Sequence, residues 1–97
     1  AGKWAIGVDS DQYLTAGSPE AQAVILTSML KRVDVAVYET IKAVANGDTA
    51  GGIKVFDLSV DGVGYATSGD YLTDFIDQLE ALKADIISGK ITVPSKL

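Results

Sequence analysis

Ile6-Gly7-Val8-Asp9-Ser10-Asp11-Gln12 is a short apolar run that stops at a cluster of acids. A run of this kind reads as the end of a buried parallel strand, with carboxylates standing at its C-terminal rim. In open α/β sheets the ligand crevice lies outside that rim. These seven residues therefore predict an α/β fold and a place for a ligand.

The rest of the chain is read from that strand outward. Lys3 to Val8 is the expected first strand, and Tyr13 to Ser18 a loop closed by Gly17, Ser18 and Pro19. Ala23-Val24-Ile25-Leu26-Thr27 is apolar and rich in β-branched residues, and predicts a second buried strand. From Leu30 to Ala45 the pattern turns helical. Val33, Val37, Ile41 and Val44 fall on one face, Ala36, Ala43 and Ala45 widen it, and Asn46-Gly47 supplies a left-handed cap. Ile53 to Leu58 alternates apolar and polar residues, as a strand with one wet face does. Asp61-Gly62 would turn it into a hairpin with Val63 to Thr67. A second helix is expected from Asp70 to Ser88, burying Leu72, Phe75, Ile76, Leu79, Leu82 and Ile86, with Gly89 beyond it. Ile91 to Pro94 reads as an extended tail. The expected architecture is about two helices packed on a short mixed or parallel sheet.

Composition narrows the function classes. The chain has 97 residues, 47% of them hydrophobic and 22% charged, which suits one small ordered domain. Net charge is −5 without a basic run, so no nucleic-acid partner is expected. Cysteine is absent, which excludes disulfides and thiolate metal sites, and histidine is absent, which excludes a Ser-His-Asp arrangement. No apolar stretch reaches the ~20 residues of a membrane span. Neither a metal, a cofactor nor catalysis is expected. The chain opens almost directly on a strand, which reads as a cut through a larger protein.

Three side chains are candidates for ligand contact: Asp9, Asp11 and Lys31. A carboxylate accepts two hydrogen bonds side by side, a match for vicinal ribose hydroxyls. Asp9 directly follows the strand, so the sheet sets its position. The competing reading is local: aspartates after a strand bond nearby backbone N–H groups and shape a turn. Lys31 and Arg32 are expected at a helix start, where a cation is disfavoured by the dipole. Lys31 could reach a ligand oxygen and pair with Asp9 when the site is empty, while Arg32 reads as a surface partner of Asp34. Gly51-Gly52 and Gly62-Val63-Gly64 lack the spacing of a phosphate-cradling loop and are read as turns or bulges. Trp4 is expected to pack at an edge, Phe75 in the core, and Tyr13 in the loop beyond the acids.

Ile6 to Gln12 followed by Leu26-Thr27-Ser28-Met29-Leu30-Lys31-Arg32-Val33-Asp34 resembles the C-terminal part of the basic membrane protein family. Gly52 to Leu58, Gly62-Val63-Gly64 and Gly89 to Pro94 add to the likeness, which extends from Trp4 to Pro94. These are purine-nucleoside-receptor-like lipoproteins, substrate-binding components of bacterial ABC importers. The resemblance implies a partial periplasmic-binding-protein type I fold, residues 1–97 forming a C-terminal segment with most of the N-terminal lobe absent. It implies chain crossings between lobes near Ser28-Met29 and Phe56 to Leu58, with the helix from Leu30 on the N-terminal lobe. It implies that Asp9 holds ribose hydroxyls and Lys31 lies near the sugar, with Asp11 further out. An ABC permease would be the partner, and a membrane-anchored extracytoplasmic lipoprotein the parent. A ligand-sensing regulator on the same fold is the alternative. A sheet without its neighbouring strands would leave open edges, so a homo-oligomer is expected of the chain alone.

Overall fold

The computed structural model describes residues 2–96, so the two ends of the 1–97 span lie outside the described residues. Its centre is a three-stranded sheet of β1 (Ala5–Asp9), β2 (Ile25–Lys31) and β3 (Val63–Tyr65), in that order. β1 and β2 run parallel, with Gly7 opposite Ser28, Val8 opposite Met29 and Asp9 opposite Leu30. β3 is antiparallel to β2, with Lys31 opposite Val63 and Met29 opposite Tyr65. The fold is α/β with a small mixed sheet.

Two one-turn helices, α1 (Gln12–Thr15) and α2 (Pro19–Gln22), carry the chain from β1 back to β2. The expected loop from Tyr13 to Ser18 is thus partly helical. Each turn has a side-chain cap: Tyr13 N–H donates to Asp11 Oδ1 at 3.2 Å, and Ala21 N–H donates to Ser18 Oγ at 3.2 Å. Pro19 begins α2, where its missing N–H costs nothing.

β2 starts two residues later than expected and runs on through Ser28, Met29 and Leu30 to Lys31. Helix α3 therefore begins at Val33 and ends at Ala45. Asp34 in its first turn and Lys42 near its last suit the dipole, and Gly47 takes φ 91° beyond it. The second long helix, α4 (Ile76–Ile87), is preceded by a 3-10 turn over Thr73–Phe75 instead of starting at Asp70. That turn changes the phase of the apolar stripe. Leu72 is buried, whereas Phe75 is 53% exposed and outside the core, contrary to expectation. With α1 and α2 the helices number four among the described residues.

The expected strand from Ile53 to Leu58, and with it the hairpin, does not form. Ile53 and Val55 are exposed, and the segment pairs with no strand among the described residues. Asp57 accepts from Ser59 N–H at 2.9 Å and from Ser59 Oγ at 2.5 Å, which starts a 3-10 turn over Leu58–Val60 instead. β3 finds its partner in β2.

The core is small. Ala66, Leu72 and Ser28 are buried, and Ala66 N–H donates to the Ser28 carbonyl at 2.9 Å. Trp4 packs tilted against Tyr71, ring centroids 5.0 Å apart. Elsewhere apolar surface stands open. Direct partners share a sheet face, and on the Val8–Met29 face Val8 and Met29 are both exposed. The stripe of Val33, Val37, Ile41 and Val44 on α3 is also exposed, Ile41 by 64%. The radius of gyration is 16.3 Å, against about 12.5 Å for a compact chain of this length. The extents, 51 × 33 × 27 Å, describe an elongated body.

Candidate functional site

Two parallel neighbours end at the same rim. β1 ends at Asp9 and β2 at Lys31, one residue past the partner of Asp9. The shared direction brings the side chains together: Lys31 Nζ lies 2.7 Å from Asp9 Oδ1. Lys31 thus stands on a strand end and not at a helix start, so the dipole argument about its position does not apply to it. Both side chains are largely open to water, 57% for Lys31 and 68% for Asp9. An exposed pair of this kind contributes about 0–1 kcal/mol to stability. Chemically the pair sets an acceptor with two oxygens beside a three-proton donor.

Asp11 is 2 residues further on but is engaged with the protein. Its Oδ1 caps α1, and its Oδ2 accepts from Ser68 Oγ at 2.5 Å, tying the loop to the segment after β3. These are the local bonds of the competing reading of this residue. Arg32 pairs with its near neighbour, Nε and Nη2 donating to the Asp34 carboxylate at 3.1 and 3.0 Å. These hydrogen bonds push the Arg32 guanidinium up and hold the Asp34 carboxyl below the usual carboxylate range. Asp57 is held low in the same sense by the Ser59 hydroxyl and N–H.

At the opposite edge of the sheet Tyr65 Oη donates to Glu80 Oε1 at 2.5 Å, and Lys83 Nζ lies 3.2 Å from Asp61 Oδ1. These contacts link α4 to β3 and its approach. The bond to Glu80 raises the Tyr65 phenol above its ordinary range. Tyr13 packs near Gly69, where an added Cβ would stand 2.9 Å from its ring.

Three residues that set the rim were not singled out from sequence: Gly7, Gln12 and Ser28. Gln12 N–H donates to Ser28 Oγ at 3.1 Å, and Gln12 Nε2 donates to the Val8 carbonyl at 2.9 Å. Gly7 lies directly beneath this bracket. An isolated glycine inside an apolar strand run is the one signal that pointed there, because it marks a close approach of another group.

No group of three or more His, Cys, Asp or Glu side chains able to hold a metal occurs among the described residues, and no described helix is long and apolar enough to cross a membrane.

The two parallel strands of the mixed sheet carry this acid–base pair at their C-terminal ends, the edge outside which open α/β sheets bind ligands. The family described as ABC transporter substrate-binding protein PnrA-like matches residues 1–96, and the chain belongs to it. The family's description is that of a transporter's substrate-binding proteins. The chain is 38% identical over 99 residues to the CD4+ T-cell-stimulating antigen of Listeria monocytogenes, and equally to that of Listeria innocua. It is 34% identical over 99 residues to the ABC transporter nucleoside-binding protein BmpA of Lactococcus lactis. Each match covers 96% of this chain and 28% of the relative, so the chain spans just over a quarter of their length.

Proposed function

We propose that this chain is the C-terminal segment of a periplasmic-binding-protein type I receptor and forms the ribose-side wall of a nucleoside site. The observation that supports this reading is the Asp9–Lys31 pair at the shared end of β1 and β2. Ribose presents two adjacent hydroxyls, and the Asp9 carboxylate can accept from both. Lys31 donates to a sugar oxygen. Asp11 stands behind the rim, its bonds to Tyr13 and Ser68 holding the loop that presents Asp9. A relative named as a nucleoside-binding protein supports the choice of ligand class. The complete receptor would deliver its ligand to an ABC permease from outside the cytoplasm, held at the membrane by a lipid anchor.

Calorimetric titration of the chain with guanosine, guanine and ribose tests the assignment. A ribose-side wall binds guanosine and, more weakly, ribose, and it ignores guanine. Guanine binding as tightly as guanosine would reject the sugar-side role.

The chain alone is a homo-oligomer in this reading. A compact chain of its mass leaves about 5,300 Å² exposed, whereas this one exposes 7357 Å². The excess, roughly 2,000 Å² on one chain, is more than the ~800 Å² per partner of a standard interface and is on the scale of the larger obligate ones. The α3 stripe of Val33, Val37, Ile41 and Val44 is the surface a second copy would cover. Sedimentation at micromolar concentration should give a dimer or larger species, and Ile41→Glu should shift it toward monomer. A compact wild-type monomer that melts cooperatively would overturn this.

A further inference from the structure

Asp9 sits in a backbone conformation that its ligand role does not by itself require. Its φ is 77°, and Ser10 N–H donates back to the Val8 carbonyl at 3.1 Å. That is a γ-turn of the positive-φ kind, which is rare and strained, centred here on a residue with a side chain. Such a turn persists only where its surroundings over-determine it. Gln12 supplies those surroundings. Its Nε2 donates to the same Val8 carbonyl at 2.9 Å, and its backbone N–H donates to Ser28 Oγ at 3.1 Å. Ser28 is fully buried on β2, the strand that ends in Lys31. Gly7 leaves room for the bracket: a Cβ there would stand 2.5 Å from Ser28 Oγ and 2.9 Å from Gln12 Cγ and Cδ.

We infer that Gln12 is a positioning residue for ligand binding, which locks the strained turn at Asp9 so that the carboxylate stays beside Lys31 over the rim. The inference rests on the proposed ligand role of Asp9 and deepens it. One end of Gln12 is fastened to β2 and the other to the last internal carbonyl of β1. The bracket therefore fixes Asp9 relative to both strands that carry the pair. Without the side-chain bond the turn at Asp9 loses its support from Gln12. Asp9 then relaxes toward negative φ, and its carboxylate swings away from Lys31. A carboxylate already in place binds without an ordering cost. A relaxed turn lowers apparent affinity by the fraction of molecules still competent.

The test is NMR on the full chain. A strong amide-to-Hα NOE within Asp9 reports positive φ. Gln12→Leu removes the side-chain donor at an exposed position and keeps the backbone bond to Ser28. Gln22→Leu is the matched control, because Gln22 Nε2 donates to the Tyr13 carbonyl at 3.0 Å without touching the Asp9 turn. Gln12→Leu should lose the strong NOE and the Asp9–Lys31 contact and bind guanosine about tenfold more weakly. Gln22→Leu should retain all three. An Asp9 NOE that survives Gln12→Leu, or that Gln22→Leu removes equally, overturns the bracket. Failure of the ligand role looks different: guanosine would leave the wild-type Asp9 and Lys31 signals unmoved while the NOE is intact. That result rejects the positioning role together with the site.

Discussion

Replacing Asp9 by glycine is expected to weaken guanosine binding by about 1.5–3 kcal/mol, the scale of hydrogen bonds to a charged group. That is roughly ten- to hundredfold in Kd. The same variant should be at least as stable as the wild type. Removing the carboxylate breaks an exposed ion pair of about 0–1 kcal/mol and frees a φ of 77° that glycine adopts readily. The strain so relieved is on the order of 1–3 kcal/mol. Asp9→Ala should lose as much affinity, but it keeps the unfavourable φ and so falls below Asp9→Gly in stability. Calorimetry and urea unfolding on the three proteins separate the effects. Unchanged affinity in both variants would exclude Asp9 from the sugar wall. A wild type clearly more stable than Asp9→Gly would mean that the turn carries little strain.

The meeting of Asp9 with Lys31 was legible, but for an incomplete reason. The apolar run before Asp9 marks β1, and the resemblance pairs the acid with the lysine. The residues around Lys31 read as a helix start because the spacing of Val33, Val37 and Ile41 extends backward onto Leu30. Nothing local says that Ser28-Met29-Leu30-Lys31 continues a strand. Its pairing with Gly7 to Asp9 and with Val63 to Tyr65 decides that, and these contacts are long-range. Ile53 to Leu58 fails in the opposite sense. Its alternation is real, but a strand needs a partner, and Asp57 bonds Ser59 instead. The α3 stripe shows the limit of periodicity itself. The spacing identifies an apolar face correctly and cannot say what covers it. Among the described residues that face stays open to water.

Gly62→Ala is expected to destabilise the chain by roughly 3 kcal/mol or more, at the upper end of what overpacking costs. The two glycines of Gly62-Val63-Gly64 make the contrast sharp. A Cβ at Gly62 would stand 2.3 Å from the Phe56 carbonyl oxygen and 2.4 Å from its carbon, whereas one at Gly64 meets nothing within 4 Å. The obstacle at Gly62 is backbone, which cannot swing aside as a side chain does. The segment is also fastened: Gly62 N–H donates to the Asp57 carbonyl at 2.8 Å, and Arg32 N–H donates to the Gly62 carbonyl at 2.9 Å. Moving Gly62 therefore pulls on the residue directly after Lys31. The variant should lose guanosine affinity along with stability, although it lies outside the proposed contact surface. Gly64→Ala, in a strand with open space above it, should be neutral or stabilising by about 0.5–1 kcal/mol, because it limits the unfolded chain. Urea midpoints for the two variants check the difference. Equal midpoints would show that the Phe56–Gly62 approach is not held in solution, and Arg32 would then not be anchored through it.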